Sequence, residues 1–394
     1  MTSFILPVIP LNNNLIHSIS PEYTSEKHAI ACINKTLLSY LNTVKTEIDN
    51  RQLEWDKYKK YTNPYEYIHT PVPNSQQSVC KLKPLSRSYY KMIEMFTMMN
   101  INETLSPGCK TFHLAEGPGG FIEAMCNIRE NPKDTYYGMT LINNEDSSIP
   151  GWVKSKNFLN NHDNVIIEKG HDGTGNLMNH HNLKDCYLKY HGEMELVTGD
   201  GGFDFSIDFN SQESVSAKLI FCQIAFAIAV QKKGGTFILK FFDIFTQISV
   251  DLIYLLSQLY ENVYFVKPNT SRYANSEKYI VCKNFRLENT EGLIKYFYRI
   301  FQNFSNEPDI MVRLFNIDIP IYFKVAIEEI NAIIGQQQVE SISTTLNLID
   351  NNKFDRLENM KKSHIQKCIT WCIKYKLPYH KVISQSNIFL NRNK

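Results

Sequence analysis

Residues 111–129, TFHLAEGPGGFIEAMCNIR, set an apolar run, a glycine-rich turn and a helical pattern end to end. Phe112, Leu114 and Ala115 suit a buried strand; Gly117, Pro118, Gly119 and Gly120 make a tight turn; Phe121, Ile122, Met125 and Ile128 recur at helical spacing. Strand, turn and helix in this order read as a nucleotide-binding unit. Glycines allow positive φ and close backbone approach to a ligand, and the amides at a helix N-terminus favour an electron-rich group. The same residues also suit a plain turn between two core elements, so the surrounding chain has to decide.

Working outward, the chain is long enough for a full core and for more than one average domain: 394 residues, 43% of them hydrophobic. Lys and Arg number 42 against 40 Asp and Glu. With a net charge of +2, a polyanion has to be held by a local basic patch and not by a field over the whole surface. The 9 cysteines show no paired metal spacing, and they read as reduced core thiols of an intracellular, cytoplasmic protein. If the source is a large DNA virus, the expected location is the host cytoplasm or the virion. No apolar run is expected to reach the ~20 residues that span a bilayer, and no charged-then-apolar leader opens the chain.

Residues 1–75 read as a partly helical N-terminal extension, with a helical pattern over 26–60 and a Pro- and Tyr-rich linker or wrapped loop, NPYEYIHTPVPNS, at its end. A helix follows from Ser86, where Tyr89, Met92, Ile93, Met95 and Phe96 form an apolar stripe flanked by Lys91. Further strands are expected at 135–142 (TYYGMTLI), 164–170 (NVIIEKG), 194–198, 235–241 and 262–266, with helices at 211–230 and 245–259. The last strand, KYIVCKNF (278–285), follows a loop too short for a crossover helix, so it pairs antiparallel. The fold class is therefore α/β, a doubly wound, mostly parallel sheet with one antiparallel strand, over residues 76–285. Residues 286–394 read as a helical C-terminal appendage.

Ligands of such sheets sit beyond the carboxyl ends of the strands. Four polar residues fall there: Asp172 in HDGTGNL, Asp200 in TGDGGF, Lys240 in GGTFILKFFD and Glu277 in SRYANSEKY. Asp200 also suits an ordinary turn. A lysine embedded in FILKFF, by contrast, must be largely buried and needs a partner, which Glu277 could supply in a structural ion pair. A buried lysine with two carboxylates at one sheet edge is a site pattern.

These residues carry a resemblance. Across about 85–285 the chain resembles the FtsJ family of ribose 2'-O-methyltransferases, and within it the cap-methylating branch of eukaryotes and large DNA viruses. HLAEGPGGFIEA is similar to that family's S-adenosylmethionine loop, YYGMTL to its second strand, DGGF to its fourth-strand motif, LKFFDIFT to its lysine strand and SRYANSEKYIVC to its final hairpin. The resemblance implies a Rossmann-like methyltransferase fold, S-adenosylmethionine as methyl donor, RNA as substrate and no metal. It places a Lys-Asp-Lys-Glu tetrad at Lys91, Asp200, Lys240 and Glu277, with Lys81 and Lys83 as alternatives to Lys91. The implied cofactor-binding residues are His113, Glu116, Gly117, Pro118, Gly119, Gly120, Phe121, Asp172 and Asp200. Asp172 is expected on the adenine amine. His113 stands where many members carry an acid, and Glu116 is the replacement carboxylate.

The tetrad suits the chemistry, because a ribose hydroxyl is a poor nucleophile and needs a base. Burial and a nearby cation disfavour an ammonium, leaving Lys240 as the expected base, oriented by Glu277. Asp200 is expected to orient the lysine pair, and Lys91 to stabilise charge on the attacking oxygen. Lys91, Lys267 and Arg272 are expected to contact RNA phosphates. A nicotinamide or flavin enzyme would carry G-x-G-x-x-G, which EGPGGF does not match. The other rivals are a catalytically inactive RNA-binding relative and an enzyme acting on ribosomal or transfer RNA. If the substrate is capped mRNA, an N7-methylguanosine cation calls for aromatic stacking beside a carboxylate.

Overall fold

The computed structural model describes the chain except for residues 13, 144–148, 150, 203–210, 309, 352–353 and 382–394. Ten strands are described: β1 (Thr2–Ile5), β2 (Ile19–Thr24), β3 (Lys110–Leu114), β4 (Thr135–Met139), β5 (Val165–Ile167), β6 (Met194–Gly199), β7 (Gln231–Phe241), β8 (Tyr260–Lys267), β9 (Lys278–Phe285) and β10 (Ile310–Phe315). Eight of them form one sheet in the order β1-β8-β9-β7-β6-β3-β4-β5. From β7 outward through β6, β3, β4 and β5 the pairing is parallel. β9 is inserted between β7 and β8, antiparallel to both, which is the reversed strand that the short loop before Lys278 implies.

The extensions are woven into this core. β1 adds a second reversed strand on β8, and β2 pairs with β10 in a separate ribbon joining N- and C-terminal segments. A four-residue strand carries too short a pattern to be read from sequence alone. The helical pattern over 26–60 becomes two helices, α1 (Lys35–Asp49) and α2 (Gln52–Thr62). In the stretch expected as a linker, Glu66, Tyr67 and Ile68 are fully buried.

Two apolar layers cover the sheet, and strand alternation decides which residue joins which. Val197, Phe237, Leu239, Ile280 and Cys282 face one layer, with α5 (His180–Tyr190), α6 (Gln212–Val230), α7 (Gln247–Leu259) and α8 (Glu291–Gln302). Leu196, Ile238, Tyr279 and Val281 face the other, with α3 (Ser88–Met98), α4 (Gly120–Arg129) and the C-terminal α10 (Phe354–Lys374). Between them in the chain, α9 (Ile321–Asp350) packs on α1 and α2.

One expectation from composition needs correcting. By length and hydropathy, Gln212–Val230 is a helix able to cross a membrane, 19 residues with a mean of 1.6. Its place is the core, with 89% of that window buried inside the fold, so its apolar girth reflects a helix surrounded on all sides.

The loops after β4 and β5 meet at a glycine. Gly175 has φ +64°, and a Cβ on it would lie 2.0 Å from the carbonyl oxygen of Thr140. Gly173, at φ +76°, has nothing within 4 Å of that position. Alanine at Gly173 is expected to cost only the left-handed backbone, about 1–2 kcal/mol, whereas Gly175→Ala adds overpacking and costs about 3 kcal/mol or more. Urea unfolding of both variants checks this, and equal losses would contradict the close approach.

Candidate active site

Register brings the tetrad together. In the parallel pair, Gly199 lies opposite Leu239, so the next residues, Asp200 and Lys240, are neighbours. In the antiparallel pair, Lys240 lies opposite Tyr279. Asp200 continues the face of Leu196, Lys240 that of Ile238, and Glu277 that of Tyr279, so all three side chains belong to the layer of α3 and α4. α3 lies on that face and supplies Lys91, which is 7% exposed. The alternatives Lys81 and Lys83 are solvent-exposed.

The pairing within the tetrad differs from expectation. Glu277 binds Lys91, whose Nζ lies 2.7 Å from Oε1 and 2.8 Å from Oε2. Lys240 instead sits 3.4 Å from Asp200 Oδ1 and donates to the Asp200 carbonyl oxygen. The reason is positional: Glu277 stands one residue before β9 begins, beyond Phe241, which pairs with Lys278. There it meets the lysine of α3 instead of that of β7. Burial would raise the Glu277 carboxyl, but the charges of Lys91 and Lys240 and the Lys91 hydrogen bond outweigh it and hold it well below the usual carboxylate range. Burial lowers the pKa of Lys91, against the opposing charges of Glu277 and Asp200.

Several supporting groups escape the sequence reading. The Tyr279 hydroxyl donates to Asp200 Oδ1 at 2.8 Å, and its ring faces Lys91 Nζ at 5.9 Å. Ser271 Oγ donates to Glu277 Oε1 at 2.8 Å. Gln223 Oε1 accepts the Gly201 amide at 3.0 Å, fixing the turn after Asp200. Phe203 of the DGGF motif lies outside the described residues. The alternation of Glu277 with Tyr279 could have flagged the tyrosine; nothing local marks Ser271 or Gln223.

Of the two further cations expected on RNA, Lys267 is committed inside the protein, whereas Arg272 is tied to a buried carboxylate but stays partly exposed. Lys267 is 2% exposed and donates to Asn275 O and Oδ1, both at 2.8 Å, and to the Glu277 carbonyl. Burial lowers its pKa to about 7. Arg272 forks onto Glu66, Nε to Oε2 at 2.9 Å and Nη2 to Oε1 at 2.6 Å. Both pin the loop 268–277 that carries Glu277. Lys91 is likewise held in the tetrad.

The glycine-rich loop is also more self-contained than expected. Glu116 Oε1 accepts the first amides of α4, from Phe121 and from Ile122, the latter at 3.2 Å. The helix N-terminus is thus capped from within the loop, and the Phe121 amide is spent there. Pro118 presents its carbonyl to Ser155 Oγ. Gly119 has φ +107°, which favours glycine, while Gly120 is pressed against Ser86 and Ser88, where a Cβ would lie 2.2 and 2.3 Å from their hydroxyl oxygens. Gly117 has the Gly151 carbonyl oxygen 2.6 Å from where its Cβ would be. Glycine at 117 and 120 therefore serves close protein packing first.

Two further expected residues are engaged within the protein, His113 completely and Asp172 in part. His113 is fully buried between β3 and β6, its ring nitrogens each 2.8 Å from Thr111 Oγ1 and Thr198 Oγ1. Burial lowers its pKa to about 3, so it is a neutral, satisfied core histidine. Asp172 spends Oδ1 on the Thr174 amide at 2.9 Å, the Thr174 hydroxyl at 2.8 Å and Asn182 Nδ2 at 2.9 Å, and Oδ2 on Asn179 Nδ2 at 2.6 Å. It braces its own loop, and being exposed with a single donor on Oδ2 it keeps acceptor capacity there.

A profile of the FtsJ-like methyltransferases matches residues 84–285, just over half of the chain. The chain belongs to that family. A cap-specific mRNA (nucleoside-2'-O-)-methyltransferase 2 of Drosophila melanogaster is 27% identical over 268 residues, 65% of this chain and 37% of that protein. The protein of that name in Mus musculus is 27% identical over 349 residues, covering 84% and 44%. An inactive cap-specific mRNA (nucleoside-2'-O-)-methyltransferase 1B of Caenorhabditis briggsae is 31% identical over 207 residues, covering 50% and 24%. The chain spans less than half the length of each of these relatives.

S-adenosylmethionine is the methyl donor of an FtsJ-like methyltransferase, and its cationic methionine end fits the charges present. Glu116 Oε2 is buried with no hydrogen-bond partner among the described residues, an orphan acceptor of the kind a ligand donor satisfies. Burial, and after it the charge of Asp200, raise the Glu116 pKa well above the carboxylate norm. A cation placed against the two carboxylates would relieve both effects. Accordingly, Glu116→Gln is expected to weaken S-adenosylmethionine binding about tenfold to hundredfold, the worth of one hydrogen bond to a charged group, and Asp172→Asn to weaken it less, because bonds within its own loop take up most of that carboxylate. Calorimetry on both variants is the check; the reverse ranking would make Asp172, and not Glu116, the principal carboxylate contact.

Proposed function

We propose that the chain is an S-adenosylmethionine-dependent RNA ribose 2'-O-methyltransferase acting on the cap-proximal nucleotide of mRNA. The observation that carries this is the assembled tetrad: Lys91 on Glu277 and Lys240 on Asp200, mostly withdrawn from solvent at one end of the sheet. The relative named inactive makes that geometry, and not likeness alone, the deciding point. A scaffold would have no use for two buried lysines, since a buried ion pair is weak evidence of stability.

The donor, when bound, supplies an electrophilic methyl group on a sulfonium. Lys240, as the free amine and positioned by Asp200, takes the 2'-hydroxyl proton and becomes an ammonium as the oxygen–methyl bond forms and the sulfur–methyl bond breaks. Tyr279 holds Asp200 in place. Lys91, neutralised by Glu277, stands where charge develops on the oxygen. Loss of any partner leaves a buried charge uncompensated.

A cavity of about 800 Å³ adjoins the tetrad, with Glu277 in its wall. Trp55, Phe242 and Tyr273 line it together with Asp49, and Lys45 and Lys59 border it. Aromatic faces beside carboxylates suit a methylated purine cation, and the lysines suit phosphates, which is why a capped 5' end is favoured over ribosomal or transfer RNA. Much of this wall comes from α1, α2 and α9, outside the family-matched segment.

Capped RNA is expected to be methylated faster than uncapped RNA of identical sequence; equal rates would overturn the cap reading but not the chemistry. Lys240→Met is expected to lower single-turnover methyl transfer by about 10²- to 10⁴-fold with donor binding intact. Lys240→Arg should be as damaging, because a guanidinium cannot accept the proton. An active Lys240→Arg enzyme would remove Lys240 from the role of base.

A further inference from the structure

Glu94 lies one helical turn after Lys91 on α3, so both project from one face of the helix. It is fully buried. Its carboxylate accepts the backbone amides of Asn269 at 2.7 Å and Thr270 at 2.9 Å, and the indole Nε1–H of Trp371 at 2.8 Å. The next residue of that loop, Ser271, donates to Glu277, and Glu277 holds Lys91. The contacts close a ring: Lys91, the α3 backbone, Glu94, the loop 269–271, Glu277 and back to Lys91. Helix packing alone would be served by an apolar side chain, because a buried carboxylate is costly unless its hydrogen bonds do something specific.

We propose that Glu94 is a positioning residue for the reaction, gripping the loop 269–271 from the helix that carries Lys91 so that Glu277 meets that lysine, with Trp371 tying α10 into the same ring. The inference rests on the catalytic reading of Lys91 and Glu277. It gives the C-terminal helix, in which the sequence shows no chemistry, a part in the geometry of the site. Glu94 does not touch the reacting atoms. Removing its grip lets Glu277 drift, and a misplacement of about 1 Å at a reacting site costs on the order of 100-fold in rate.

The test compares wild type, Glu94→Gln, Ser271→Ala, their double variant and Trp371→Phe by single-turnover methyl transfer to capped RNA across pH. For Glu94→Gln we expect kcat to fall about 100-fold with KM for donor and RNA unchanged. The alkaline limb of the rate profile should move to lower pH. Lys91 would lose its close counter-charge while Arg87, Lys240 and Lys267 continue to oppose its proton and only Asp200 remains to favour it. Ser271→Ala should shift the limb the same way, Trp371→Phe less so, and the double variant should be no worse than the worse single, because both break one ring. A profile that is scaled down without a shift, or losses that multiply in the double variant, would overturn the proposal. If Glu94→Gln fails to fold, Ser271→Ala and Trp371→Phe carry the test with the same criteria. Lys91→Met is run alongside: if it is active, the catalytic reading itself fails and the positioning role with it. An inactive Lys91→Met beside an unshifted Glu94→Gln overturns the positioning role alone.

Discussion

Two ammonium groups buried at the carboxyl end of a sheet set the terms for this molecule. An isolated buried charge is tolerated only when paired and hydrogen-bonded, so Lys91 and Lys240 each require a carboxylate at a fixed distance. β6 delivers Asp200 to Lys240 simply by ending one residue earlier in parallel register. Lys91 comes from a helix and cannot rely on strand register. Its partner Glu277 stands at the end of a ten-residue loop, and much of the polar structure around the site serves to hold that loop.

The loop 268–277 is gripped from three directions. Glu94 takes its first amides, Lys267 its last carbonyls, and Glu66 its arginine. Gln338 of α9 adds a bond to the Ala274 carbonyl at 3.2 Å. The strand carrying Lys240 is braced in a similar way, with Lys45 of α1 3.1 Å from Asp243 and Asn331 of α9 donating to the Ile244 carbonyl. Elements outside the matched segment 84–285 thus support the loops that follow β7 and β8 and, between them, wall the cavity. The extensions and the site are one piece of chemistry.

Strand-level features were largely legible because they rest on local pattern. The alternation of strands and helices gave the sheet, and KYIVCKNF after a short loop gave its reversed strand. A lysine inside FILKFF announced a buried charge. What escaped depends on partners far apart in sequence. Asp172 followed a strand in the right place, but two asparagines and a threonine claim its oxygens. His113 lay on the strand that leads into the glycine-rich loop, but its neighbours Thr111 and Thr198 take up both nitrogens. Lys267 read as a surface cation because local pattern does not show the loop folding back on it, and nothing near Arg272 in the chain reveals Glu66 across the fold. That Glu277 meets Lys91 and not Lys240 turns on a one-residue offset at the start of β9. Glu94 sat unremarked in an apolar stripe, since its amide partners lie some 175 residues away.

The central claim is that this arrangement directs a methyl group to a ribose 2'-oxygen. The most direct measurement is to methylate capped RNA with labelled S-adenosylmethionine and digest the product with alkali, which cleaves next to a free 2'-hydroxyl but not next to a 2'-O-methyl. The account predicts that the label stays in an alkali-resistant fragment containing the cap and the first transcribed nucleotides. Label released with mononucleotides, as from a methylated base, would contradict it.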